Sequence, residues 1–122
     1  MTERIQDIAH LGRIELLTPK LARSRWFFET LLGMEVAYNA GKSLYLRGYG
    51  DYAQATLKLT ESEKPGIGVV SWRTASPEAL ARRVAAIQQT GLGERWHEVE
   101  FGRGQAFAFR DPDGHRMDVY YE

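Results

Sequence analysis

No cysteine occurs anywhere in the 122 residues. Disulfides, thiolate metal ligands and a cysteine nucleophile are therefore excluded. The chain also lacks an excess of either charge, since 16 basic and 16 acidic side chains cancel. A nucleic-acid or anionic-membrane partner would leave a basic surplus, so neither is expected. No apolar run approaches the length of a membrane span. The opening, Met1 to Asp7, is polar and acidic, unlike a signal or transit peptide. A cytoplasmic protein follows from these absences. Histidine is scarce too: His10, His97 and His115 are the whole supply.

What remains is the composition of an ordinary globular domain, with 43% hydrophobic and 26% charged residues. A chain this size buries roughly two-thirds of its unfolded surface. The pattern along it reads as one unit written twice. Ile8 to Leu17 is extended, with Ile14 and Leu16 on one face and Arg13 and Glu15 on the other. Thr18-Pro19 breaks that strand and opens a helix to about Leu32. Its apolar positions are Leu21, Phe27, Phe28, Leu31 and Leu32, and Gly33 stops it. Strands are expected near Met34–Tyr38, Ser43–Arg47 and Ala53–Leu59, with glycine-containing turns between them.

The second copy opens with a strand from Ile67 to Arg73. Ser76-Pro77-Glu78 is a strong helix start, and that helix runs to Thr90 before Gly91. Leu80, Val84 and Ile87 form its stripe. Strands near Arg95–Glu100, Gln105–Arg110 and Arg116–Tyr121 follow. Thr18 and Ser76 lie 58 residues apart, as do Gly33 and Gly91, which points to an internal duplication. The expected fold is α+β: two tandem βαβββ modules making a curved, open, eight-stranded mixed sheet with helices outside. Residues 1–122 form a single domain, with module one at about 6–61 and module two at about 66–122.

Asp111-Pro112-Asp113-Gly114 reads as a tight turn: the aspartate caps it, proline fixes φ and glycine accepts positive φ. It is expected to aim the last strand, Met117 to Tyr121, so that Asp118 points into a cleft. This strand–turn–strand ending, together with Leu21 to Phe28 and Leu31-Leu32-Gly33-Met34, resembles the vicinal-oxygen-chelate superfamily. That superfamily includes glyoxalases, bleomycin-resistance proteins and extradiol ring-cleaving dioxygenases. Leu44-Tyr45-Leu46-Arg47, Leu57-Lys58-Leu59 and Gly68 to Arg73 are similar in particular to the N-terminal half of catechol 2,3-dioxygenase-type enzymes.

The resemblance implies where a metal would be held. Ring-cleaving members use two imidazoles and one carboxylate, leaving open positions for a catecholate and dioxygen. The first histidine position, counted back from Gly33, falls on Arg13. The second, counted back from Ser76, falls on Val69, and only the third, Asp118, is an acid. A guanidinium has no lone pair to give and valine has no donor, so a three-ligand site is not expected. His10 is three positions from Arg13, which on a strand means the opposite face and about 10 Å of travel. The acid–base histidine and the tyrosine of the extradiol signature are also missing, with Ala108 at the tyrosine position.

The resemblance therefore implies the N-terminal, metal-free structural domain of a type I extradiol dioxygenase of aromatic catabolism. The chain alone is expected to be inactive, with no catalytic and no metal-binding residue of its own. Fe(II) or Mn(II) is expected in a companion C-terminal catalytic domain, which is the expected partner along with a homo-oligomer. The stop at Glu122, directly after the last strand, is read as a domain border. The alternative is a stand-alone dimeric ligand-binding protein of the bleomycin-resistance type, its crevice lined by aromatics such as Trp26, Tyr45 and Trp72. In either case Arg13, Trp72 and Asp118 are the expected ligand-binding residues of a remnant cleft. If Arg13 and Asp118 form an internal ion pair there, Arg13→Ala should destabilise far more than a surface change such as Arg82→Ala.

Overall fold

Side-chain alternation along the strands sorts the chain into an apolar face, which the helices cover, and a face carrying charge. The computed structural model describes residues 6–122, so Met1–Ile5 of the polar opening lie outside the described residues. The elements are β1 (Ile8–Thr18), α1 (Leu21–Arg25) continued as a π-helical segment (Trp26–Leu31), β2 (Glu35–Asn39), β3 (Ser43–Arg47), β4 (Leu57–Glu61) and β5 (Gly66–Thr74). Then come α2 (Pro77–Thr90), β6 (Gly93–His97), β7 (Ala106–Arg110) and β8 (Arg116–Tyr120). The strands form one mixed eight-stranded sheet in the order β2-β3-β4-β1-β5-β8-β7-β6. That order repeats one rule twice: an opening strand beside the last of its set, then the third, then the second. Tandem βαβββ modules are what the sequence spacing implied. Two compact units emerge, a first of Gly12–Val70 and a second of residues up to Leu11 with Ser71–Glu122.

In the first unit β1 runs parallel to β4, with Ile14 opposite Leu57 and Leu16 opposite Leu59. β3 pairs antiparallel with both β4 and β2. Leu44, Leu46 and Leu59 are buried together, with Leu16, Leu21, Phe28 and Met34 packed around them. β4 starts at Leu57 rather than Ala53, because Asp51 binds the preceding loop to itself. Its carboxylate accepts from Gly48 N at 2.6 Å and Thr56 Oγ1 at 2.5 Å, and Arg47 donates to its carbonyl. Local side-chain bonds of this kind compete with ladder pairing.

The first helix departs from its expected form. Neither Thr18 nor any other side chain caps it, and after one turn its bonds lengthen to π spacing, Leu32 N reaching Phe27 O at 3.0 Å. An extra residue in the turn delays every later side chain relative to α phase. Leu32, four beyond the core residue Phe28, would share its face in an α-helix; instead it is exposed, as are Phe27 and Leu31. Of the apolar positions read in the sequence, Leu21 and Phe28 reach the core.

The second unit keeps to its local signals. Ser76 Oγ accepts from Ala79 N at 3.0 Å, Pro77 takes the first helical position, and Gly91 ends the helix at φ 78°. Val84 packs with Phe107 and Val119, ringed by Trp72, Leu80, Ile87 and Phe109. β7 lies antiparallel to β8, and β6 joins β7 with a bulge between Gly93 and Trp96.

Candidate functional site

The D-P-D-G turn is built as its residue types dictate. Asp111 Oδ1 accepts from Asp113 N at 3.0 Å and His115 N at 2.8 Å, while Oδ2 meets His115 Nδ1 at 2.8 Å. Gly114 takes φ 90°. Burial pushes the Asp111 carboxyl up, but the His115 ring, the His115 backbone N–H, the imidazolium charge and the Asp113 N–H outweigh it and leave it lowered. The hydrogen bond and charge of Asp111 raise His115 above the usual imidazole value. Among the described residues, Asp111, Asp113 and His115 are the grouping of acid and imidazole atoms close enough to share a cation. Their bonds to one another account for that closeness.

The turn sets the register of β8, placing Asp118 opposite Ala108 and Tyr120 opposite Ala106. Asp118 is fully buried. Its Oδ2 accepts from Arg103 Nη1 at 2.9 Å, and both side chains are withdrawn from solvent, at 4% and 1% exposure. The rest of the Arg103 fork is also engaged, Nη2 donating to Glu98 O at 2.7 Å and Nε to Gly104 O at 3.0 Å. Glu100 and Arg103 close a small loop by exchanging backbone bonds at 3.1 and 3.0 Å. One guanidinium thus ties residues 98–104 to the strand carrying the acid.

Trp72 stands elsewhere. It packs in the α2-side cluster with Val84 and Phe107, and its indole N–H donates to Met117 Sδ at 3.4 Å. Met117 and Asp118 are neighbours on β8, and successive strand residues face opposite ways. Trp72 therefore lies across the sheet from the acid that the sequence grouped it with.

Arg13 is buried in the first unit, its guanidinium 5.4 Å from the centre of the Tyr45 ring. Lys58 Nζ lies 5.3 Å from the same ring and 3.6 Å from Glu15 Oε2. Glu15 also accepts from Thr60 Oγ1 at 2.7 Å and from Val69 N at 3.2 Å. So at the second ligand position a backbone N–H is given to a carboxylate. Arg13, Glu15, Lys58 and Tyr45 form the charged face of the first unit.

His10 and His115 are exposed, and His97 is half-buried on β6. A ferrous or manganous ion does not fit what the ligand positions hold: a guanidinium at 13, an alkyl chain at 69, and a carboxylate already charge-paired at 118.

Sequence reasoning missed Arg103 and Glu15. A signal for the first exists in Ala106-Phe107-Ala108-Phe109: alternation puts the aromatics under α2 and leaves two small residues beside Asp118, where a long side chain has room. Glu15 was read only as a polar-face residue. Its signal is Gly68, where a Cβ would lie 2.2 Å from Glu15 Oε1.

Repeated βαβββ modules in one mixed sheet, with a D-P-D-G turn that sets the register of the last strand, define the class of protein. The chain belongs to the glyoxalase/bleomycin resistance protein/dioxygenase superfamily, whose model matches residues 8–119. It is 49% identical over 120 residues to metapyrocatechase of Geobacillus stearothermophilus, covering 98% of this chain and 37% of that protein. It is 35% identical over 118 residues to the manganese-dependent 2,3-dihydroxybiphenyl 1,2-dioxygenase of Geobacillus genomosp. 3, covering 95% of this chain and 38% of that protein. Homoprotocatechuate 2,3-dioxygenase from B. fuscum, solved as an H200C variant, superposes with a TM-score of 0.87 at 28% identity, over 96% of this chain and 33% of that one. The chain spans little more than a third of the length of the curated relatives it matches.

Proposed function

We propose that this chain is the metal-free, N-terminal structural domain of a type I extradiol, catechol 2,3-dioxygenase-like enzyme of aromatic catabolism. The observation that carries the reading is Asp118, the one acid at a ligand position, closed into a buried pair with Arg103. Support comes from relatives whose names are those of ring-cleaving dioxygenases, one of them manganese-dependent. In this reading Fe(II) or Mn(II) belongs to a companion C-terminal domain, which also sets the substrate. Arg13 and Asp118 then serve the scaffold, as the buried charges of what would otherwise be ligand-binding positions. A cytoplasmic enzyme fits this role. Among the described residues no helix is long and apolar enough to cross a membrane.

The test is metal retention and turnover together. The chain is loaded with Fe(II) or Mn(II), dialysed, and assayed with catechol; no retained metal and no yellow ring-cleavage product are expected. Stoichiometric metal with turnover would overturn the reading. The native gene supplies the second arm: coding sequence for a further histidine-bearing module should follow Glu122. A stop codon directly after Glu122 would instead favour a stand-alone binding protein of the bleomycin-resistance type.

A further inference from the structure

A groove of about 300 Å³ opens in the first unit, and its lining divides by chemistry. Pro19 and Pro65 give it stiff apolar sides, while Trp26 and Phe27, 46% and 42% exposed, add aromatic surface. Lys20 and Arg23 are its exposed cations. Thr18, the most buried lining residue, shares a hydroxyl hydrogen with Ser24 at 2.8 Å. The volume lies at the lower end for small-molecule sites and suits one ring with its acid group.

The two cations are what sets the groove apart. Elsewhere guanidinium groups are matched, Arg25 by Glu29 and Arg103 by Asp118. Among the described residues Lys20 and Arg23 have no carboxylate partner. Arg23 instead lies 5.2 Å from the centre of the Trp26 ring, so the indole steadies the guanidinium without using its hydrogen-bond donors. A fork held in this way matches a planar carboxylate. The hydroxyl pair adds a third donor. Thr18 Oγ1 already accepts from Lys20 N at 3.1 Å, and of the two hydroxyl hydrogens only one lies between Thr18 and Ser24. These donors are all side chains, and the helix backbone is not needed.

We propose that this groove binds a small aryl carboxylate. The acid group takes the Arg23 fork, with Lys20 as second cation and a hydroxyl of the Thr18–Ser24 pair as third contact. The ring lies against Phe27 and the two prolines. An acid without an apolar body gains only an exposed ion pair. A neutral ring leaves both cations unused, so the groove selects for the two parts in one molecule. The site goes beyond the ring-cleavage reading and does not depend on it, since it needs neither metal nor turnover.

The experiment is a titration of the nitrogen-15-labelled 122-residue chain with sodium benzoate at constant ionic strength. It is followed through the indole N–H resonances of Trp26, Trp72 and Trp96, with Trp26→Phe assigning the first. The Trp26 resonance should move and saturate, with half-effect at or below about 1 mM, while the other two stay in place. Acetate and benzyl alcohol, which carry acid and ring separately, should each require at least about ten times more. Lys20→Gln with Arg23→Gln should weaken benzoate about ten-fold or more and leave the circular dichroism spectrum and urea midpoint unchanged. Arg23→Lys, which keeps the charge and loses the fork, should weaken it less. A Trp26 resonance indifferent to benzoate would overturn the proposal. So would acetate or benzyl alcohol acting as strongly as benzoate, or a folded double variant that binds as well as the parent.

Discussion

The two units share one topology but rely on different interactions. In the second unit the helix is specified locally: a serine cap, proline after it, a left-handed glycine at the end and one regular stripe. Its buried charges among the described residues include a guanidinium–carboxylate pair, Arg103 with Asp118, tying a loop to a strand, and Asp7 held by Arg82 and Arg83. In the first unit the helix has no side-chain cap, changes winding and buries none of its residues fully. Its order comes instead from the strands, through the Glu15, Lys58, Thr60 and Val69 contacts and two cations on Tyr45. One duplicated framework can thus be held mainly by local signals in one copy and by cross-strand polar contacts in the other.

That contrast can be broken most forcefully at Arg103. Arg103→Ala leaves Asp118 buried without its guanidinium and releases Glu98 O and Gly104 O, so a loss of about 3–5 kcal/mol is expected in urea unfolding. A midpoint within error of the parent would show that the pair contributes little. Next comes Arg13→Ala, expected to cost about 2 kcal/mol through the lost ring contact and the packing of its stem. Exposed Arg116 is the appropriate control. Arg82 is not a neutral surface residue: its Nη2 and Nε donate to the buried Asp7 at 2.7 and 3.2 Å, which together with Arg83 lowers that carboxyl.

A smaller effect tests the first unit's strand contacts. Gly68→Ala should push the Glu15 carboxylate off Val69 N and cost about 1–2 kcal/mol, with a resonance shift at the Val69 amide as the specific readout. Ser76→Ala should cost about 1 kcal/mol in the second unit. Lys20→Ala, at the corresponding start of the first helix, should cost less, because that position supplies no side-chain cap. Equal losses would erase the distinction between the units.

The smallest effect is a pH dependence. His115 has its imidazole value raised in the folded state, so its contribution is full below the ordinary 6.5 and fades as pH rises through the raised value. Asp111 is lowered, so its share is present above 3.8 and fades as pH falls through the lowered value. His115→Gln should therefore differ most from the parent in the mildly acidic range and converge with it in alkali. A constant difference across that range would remove the ion pair from the account.

Much of the frame was legible because its signals are local. Ser76-Pro77, Gly91, the D-P-D-G turn and the 58-residue spacing each act through neighbours in the chain. β3 and α2 fall where the residues imply, while β4 does not, since the Asp51 side chain occupies the loop before it. The resemblance, counted back from Gly33 and Ser76, implied ligand positions at 13 and 69, where this sequence carries an arginine and a valine.

By itself the sequence determined the repeated module, because strand alternation and helix punctuation are short-range rules, and the motifs it carries supplied the family resemblance that implied ligand positions at Arg13, Val69 and Asp118. Only the tertiary structure decided that Asp118 is answered by Arg103, that Trp72 faces α2, and that the first helix turns its aromatics outward. Those outcomes depend on which side chains meet across strands and on a change of helical winding, and neither is written in the spacing of residues along the chain.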